Sequence, residues 1–319
     1  GEMLADKFKL VFRLNVGAAV MGLGYIVGLK YSAIIAAGSF VSWYLLVPLV
    51  SYFGAGLTET FGTGATKLIS AMTAEEIFRQ YVRHIGIGGI AMAGIIGIIR
   101  SSKIIRDAIS LGFKEIFAKK DGSNQTARTQ RDLSMKIIVG GLVVTSILLF
   151  VFFQMGVVYN VGWAIAGLLI VLVVAFLFTT VAANATAIVG TNPVSGMTLM
   201  TLILSSIILT SIGLKGESGM IAALLIGGVV CTALSMAGGF ITDLKIGYWL
   251  GTTPQKQEQW KFLGVLVSAL TVGFVIMILN ETFGFTGPNA LVAPQANAMA
   301  AVIQPLMDQQ PAPWTLYIV

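Results

Sequence analysis

Of 319 residues, 56% are hydrophobic before the 37 glycines are counted, only 11% are charged, and the mean hydropathy is +0.88. A soluble domain has about 45–50% apolar residues with glycine included and about a quarter charged, and so few charges cannot cover a water-facing surface of this size. The composition excludes a disordered chain, a collagen-like repeat and a disulfide-stapled secreted domain, and it implies an integral membrane protein.

The net charge of +6 is unevenly placed. Nine of the 20 Lys and Arg fall between Arg100 and Lys136, against four acids. Positive charge gathered in one loop of a membrane protein is an orientation signal that marks the cytoplasmic side, so no nucleic-acid partner is expected. The lone Cys231 and the lone His84 allow neither an internal disulfide nor a Cys/His metal site.

In chain order, the N-terminus opens Gly1-Glu2 with no charged leader ahead of a short apolar stretch. Uncharged runs follow at 14–29, 31–58 and 84–99. Since about 20 apolar residues span the hydrocarbon layer, the 16-residue runs at 14–29 and 84–99 need help from their flanks. The segment 100–136 reads as a basic cytoplasmic loop. From Ile137 to Leu214 there are 78 residues without a charge, about 117 Å of helix at 1.5 Å per residue, enough for three crossings. Asn160-Val161-Gly162 and Gly190-Thr191-Asn192-Pro193 break the run, because proline lacks the N–H that a helix interior needs. The predicted spans are 137–158, 163–189 and 198–214, then 218–242 and 262–280. Segment 282–307 carries Pro288, Pro294 and Pro305 and reads as re-entrant or interrupted. The terminal run Trp314–Val319 has no charged flank. Both ends therefore read as cut, and 1–319 reads as one membrane domain within a longer protein.

These readings predict an all-α, polytopic transmembrane bundle of about eight spans plus broken segments. With 100–136 cytoplasmic, 54–83 lies outside, and alternation returns the chain to the cytoplasm at 243–261, where Lys245, Lys256 and Lys261 stand. The two basic segments then share a side without being forced to. Lys7, Lys9 and Arg13 fit that scheme less well. Glycines such as Gly24, Gly28, Gly86, Gly94 and Gly97 favour close helix packing, which drives association in lipid.

Polar residues at membrane depth are costly unless they face a cavity or a partner. Asn192, Pro193, Ser195 and Gly196 form one such group; broken backbone at depth lines a cavity or is buried in protein, as in transporters. The same residues would also suit an ordinary polar turn at the cytoplasmic surface. Asp243, Lys245 and Tyr248 form a second group at the end of a span. A carboxylate there can titrate with a transported proton, or serve with a snorkelling lysine as an interfacial anchor. Asp243 and Lys245, two apart, point in different directions on a helix. Gln295 and Asn297 follow Pro294 in a third group, and Glu281 before it is a second titratable candidate or an outer-loop acid.

At these motifs the chain resembles the oligopeptide transporter (OPT) family, prokaryotic branch, which is related to the yellow-stripe-like transporters of metal chelates. The residues that carry the resemblance are Gly24-Tyr25-Ile26-Val27-Gly28, Arg128-Thr129-Gln130-Arg131-Asp132-Leu133 and Asn192-Pro193-Val194-Ser195-Gly196-Met197-Thr198. With them go Asp243-Leu244-Lys245-Ile246-Gly247-Tyr248-Trp249-Leu250-Gly251-Thr252-Thr253-Pro254 and Ala293-Pro294-Gln295-Ala296. They occur in family order from about residue 20 to the end. The resemblance implies a proton-coupled secondary transporter of small peptides or related compounds, with metal–chelate complexes as the alternative cargo. It places the protein in a bacterial or archaeal plasma membrane, with lipid as its surroundings, no cofactor, and homo-oligomerisation left open. Where the family often carries a longer polar run before Asn-Pro, this chain has Val189-Gly190-Thr191. The competing class is a passive channel, in which rings of charged side chains at a constriction are one means of selection; the deep polar residues here are mostly amides and hydroxyls. No set of catalytic side chains points to an enzyme.

Overall fold

The computed structural model describes all residues except 1, 15, 62–66, 101, 118–126, 191, 193, 286–293, 309–317 and 319. The described residues form helices and no strand. After α1 (Glu2–Phe8) come α2 (Ala18–Val27), α3 (Leu29–Phe40) and α4 (Val47–Gly54), the last two joined by a π-helical turn at Val41–Leu46. Next, α5 (Ala74–Ile77) and α6 (Arg83–Arg100) are joined by a second π-helical turn at Phe78–Val82. Then follow α7 (Ser102–Phe117), α8 (Met135–Gly156), α9 (Val161–Val189), α10 (Val194–Ser211), α11 (Gly216–Leu250), α12 (Pro254–Phe283) and α13 (Pro294–Met307).

Six helical stretches are long and apolar enough to cross a membrane: Leu29–Gly54, Ala74–Arg100, Arg128–Gly156, Val161–Ile188, Gly216–Leu250 and Pro254–Phe283. The flank of 84–99 supplies its missing length, because helix continues N-terminally to Ala74. Run 14–29 does not gain length. It yields the ten-residue α2, about 15 Å long, and Gly28 at φ 82° separates it from α3. Gly28 thus serves as a break between α2 and α3 at a conformation that disfavours other residues, and a Cβ on it would meet nothing within 4 Å.

The core is built on α11. Its buried residues Gly219, Ala222, Ala223, Ile226, Gly227, Val230, Leu234 and Gly238 recur every three or four positions, one continuous face of a helix. This face receives α9 and α10. Contact is close because the residues are small: a Cβ on Gly227 would overlap Leu202, and one on Gly167 would touch Ile226 at 3.6 Å. A smaller cluster joins the two π-helical turns, where Trp43 stacks on Phe78 with ring centres 4.7 Å apart. By contrast, no residue of α12 is buried, as suits a helix whose stretch 262–280 is apolar all round and faces lipid.

One relation differs from the alternation that the sequence suggests. Ile90 lies against Gly196 and Gly94 against Met200, so α6 and α10 run in the same direction. Alternation holds from α9 to α11, where α10 runs against both neighbours, and fails between α6 and α8. In addition, α7 packs on α8 and α9, so the chain after Arg100 turns back along the bundle.

Candidate functional site

Asn160 opens α9 by accepting the Gly162 N–H at 2.9 Å, an N-cap of the usual kind. The helix runs 29 residues and ends at Gly190, which takes a left-handed conformation at φ 81°. Two residues on, Asn192 stands in the gap before α10. Pro193 lies outside the described residues. Ser195 and Gly196 fall in the first turn of α10, the Ser195 side chain lying outside the described set.

The Asn192 side chain reaches α11. Its Nδ2 donates to the Leu234 carbonyl at 2.9 Å and more weakly to that of Ser235 at 3.4 Å. Gly238 makes the room: a Cβ there would overlap the Asn192 amide. Asn192 Oδ1 is buried and has no hydrogen-bond partner among the described residues. One half of the amide therefore ties the break to α11, and the other half is an acceptor with its hydrogen-bonding capacity unused.

The depth of this break follows from α11. Leu234 and Gly238 lie inside the uncharged run 218–242, which Asp243 closes. At 1.5 Å per residue they are about 13 and 8 Å from the level of Asp243. At that level, Asp243 pairs with Lys261 of α12, which opens onto the uncharged run 262–280. The aromatic residues Tyr248, Trp249 and Trp260 are 78%, 72% and 69% exposed here, and the Lys245 ammonium lies 5.3 Å from both the Tyr248 and Trp249 ring centres. Exposed Trp and Tyr with Lys mark a membrane–water boundary. Asn192 thus meets α11 about 8–13 Å from the level of Asp243, along the uncharged run.

The third sequence group converges on the same region. Thr210 near the end of α10 contacts Met307 Sδ at 3.6 Å, and Met307 also lies at the start of α11, beside Gly219. Because α13 packs along α10 through Met299, Ile303 and Met307, it runs in the same direction. Its first turn, with Gln295 and Asn297, stands about 20 Å from Met307, close to the level at which α10 begins. The side chains of Gln295 and Asn297 lie outside the described residues. The helix α12 leaves the belt at Lys261 and ends 22 residues later, about 33 Å away, at the end where Met307 lies. The end of α12 and the end of α13 thus share one end of the bundle.

The remaining candidates are separate from that region. Asp243 and Lys245 lie on different sides of α11, the first toward α12 and the second over exposed rings. Glu281 is exposed near the end of α12, about 30 Å from Lys261 along the helix. Among the described residues no three His, Cys, Asp or Glu side chains gather where a metal ion could sit.

Three partners carry no local sequence signal. Lys261 is 18 residues from Asp243, and Gly238 is 46 residues from Asn192. The third is the clasp between the basic segment and the α11–α12 turn. Arg128 donates to the Gly251 carbonyl at 2.9 Å and to Thr253 Oγ1 at 3.2 Å. The Gln255 N–H reaches the Arg131 carbonyl at 2.9 Å, and the Leu133 N–H reaches Glu258 Oε2 at 2.7 Å. Residues 128–133 and 251–258 therefore share one end of the bundle.

The family described as OPT oligopeptide transporter protein matches residues 2–319. The chain belongs to that family. A candidate oligopeptide transporter of Haemophilus influenzae is 27% identical over 336 residues, covering 96% of this chain and 51% of the relative. The chain spans about half the length of that curated relative. No solved structure matches it. OPT proteins are transporters and not enzymes, which agrees with the polytopic helical architecture described above.

Proposed function

We propose that this chain forms part of a proton-coupled secondary transporter of small peptides, and that the starts of α10 and α13 hold the substrate. The supporting observation is the helix break at Asn192, tied to α11 at a depth where irregular backbone is tolerated only beside a cavity or within protein. The first turn of a helix leaves N–H groups unpaired and carries partial positive charge. Two such turns starting at similar depth suit a carboxylate, and a peptide C-terminus supplies one. Asn192 Oδ1 accepts a hydrogen bond from the peptide, and Ser195, Gly196, Gln295 and Asn297 are assigned to the same site by their places in the first turns of α10 and α13. Tyr248, exposed at the belt, borders the approach from the basic end.

Coupling is assigned to Asp243. While it is ionised, its pairing with Lys261 ties α11 to α12; proton binding ends the attraction and releases α12. Lys245 holds the belt through its contact with Tyr248 and Trp249. Glu281, about one hydrocarbon thickness away, cannot exchange a proton directly with Asp243 and serves the opposite face. The end carrying Arg128, Arg131, Lys136, Lys245, Lys256 and Lys261 faces the cytoplasm of a bacterial or archaeal cell. Arg100, at the far end of α6, lies outside that assignment.

The test is uptake by the full-length protein in proteoliposomes, with and without a proton gradient, for di- to hexapeptides and for metal chelates. Accumulation of peptide above equilibrium, abolished by a protonophore and weakened by Asn192→Ala, is the expected result. Equilibration without accumulation would indicate a pore, and accumulation of chelates alone would replace the peptide assignment.

A further inference from the structure

Beside the Asp243–Lys261 pair lies an open surface pocket of about 240 Å3 lined by Phe240, Asp243, Ile246 and Gln257. It sits between α11 and α12 at the level where both uncharged runs end, so its contents lie among lipid headgroups. We propose that this pocket binds the headgroup of a phospholipid bearing a primary ammonium, such as phosphatidylethanolamine.

The chemistry of the lining carries the assignment. Asp243 uses Oδ2 for Lys261, which leaves Oδ1 to accept from a second ammonium. Gln257 donates through Nε2 to the Asp243 backbone carbonyl at 3.1 Å, so the end of α12 and the carboxylate are held in fixed relation. The Lys261 ammonium has three donors and gives one to Asp243; the others reach a phosphate lying next to the bound amine. Acid and base stand side by side, which matches a headgroup that carries both charges. A choline headgroup has no N–H to give Asp243, and Phe240 alone does not form an aromatic cage for it. A glycerol headgroup offers no cation at all. Ile246, 52% exposed, forms the wall toward the lipid side and admits an acyl-chain-bearing molecule.

This site is independent of substrate binding at α10 and α13. The experiment uses the full-length protein purified in detergent, read by thermal stability and native mass spectrometry during titration with phosphatidylethanolamine, phosphatidylcholine or phosphatidylglycerol. Stabilisation and retention are expected for phosphatidylethanolamine, with an advantage of about ten-fold or more over the other two lipids, the size of one charge-assisted hydrogen bond. Ile246→Trp fills the pocket and Gln257→Leu removes the tether; both should abolish the preference while leaving peptide binding intact. Equal response to the three lipids, or an unchanged preference in both variants, overturns the proposal. Soluble phosphoethanolamine binding as tightly as the lipid overturns the lipid as occupant. Loss of peptide transport with the lipid preference intact defeats the transport reading and leaves this one standing.

Discussion

Asn192 and Gly238 fit each other: the amide of the first occupies the space that the second leaves by having no Cβ, and it donates to carbonyls of the same helix four and three residues earlier. The Leu234 and Ser235 carbonyls already accept from N–H groups one turn on, so the asparagine adds a second bond without unwinding α11. Through this contact the gap between α9 and α10 is held at a defined depth.

Replacing Gly238 with alanine places a methyl group where the amide sits. Overpacking of this kind costs about 1–3 kcal/mol, and with the amide atoms well inside contact distance the gain of about 1 kcal/mol in helix propensity from glycine to alanine offsets only part of it. Thermal unfolding of Gly238→Ala should fall by several degrees, and peptide affinity should fall with it. The double variant Gly238→Ala/Asn192→Ala should recover stability but not affinity. Unchanged stability in the single variant would mean that the two helices do not touch as described.

Asn192→Asp is isosteric but cannot donate. It would set a carboxylate against two carbonyl oxygens, so it should destabilise the protein more than Asn192→Ala, which loses bonds worth about 1 kcal/mol each. Denaturation in matched detergent decides the order; a milder effect for Asn192→Asp would argue that the amide faces water.

The Asp243–Lys261 pair is partly exposed, with side chains 45% and 30% accessible. Pairs of this kind contribute about 0–1 kcal/mol, so Asp243→Asn should barely alter stability. Uptake against a gradient should nevertheless fall at least ten-fold while exchange of peptide for peptide persists. The swapped variant Asp243→Lys/Lys261→Asp restores the pair on exchanged helices. Recovery of gradient-driven uptake by the swap would show that pairing alone matters and that the position of the carboxylate does not.

Sidedness can be read with single cysteines in a Cys231→Ser background. Gln130 and Glu281 are both exposed and stand at opposite ends of the bundle. In intact cells an impermeant thiol reagent should label Glu281→Cys and spare Gln130→Cys until the cells are opened. Labelling of Gln130→Cys alone would invert the assignment.

Removing the clasp should loosen one end without unfolding the bundle. Arg128→Ala deletes two hydrogen bonds and Glu258→Gln weakens a third. Hydrogen exchange at 128–133 and 251–258 should accelerate in either variant, while α9 and α10 keep their protection.

Much of this protein was legible in its sequence because hydropathy is a local property. Runs such as 163–189 and 262–280 must lie in helices, as no other structure satisfies their backbone in lipid. The break at Gly190–Pro193 is equally local, since glycine and proline act on their own turn. Pro294 likewise marks the first residue of α13, where a proline needs no N–H partner. Orientation was less accessible: alternation counts apolar runs alone, whereas the amphipathic α7 turns back along α8 and α9 and leaves α6 parallel to α10. What only the tertiary structure decided are the pairings at long range. Asn192 meets Gly238, Asp243 meets Lys261, and Arg128 meets Gly251 because small residues let α9, α10 and α11 approach closely and because α12 turns back beside α11. Those distances depend on how helices pack, and packing is set jointly by residues that no local window of the sequence contains.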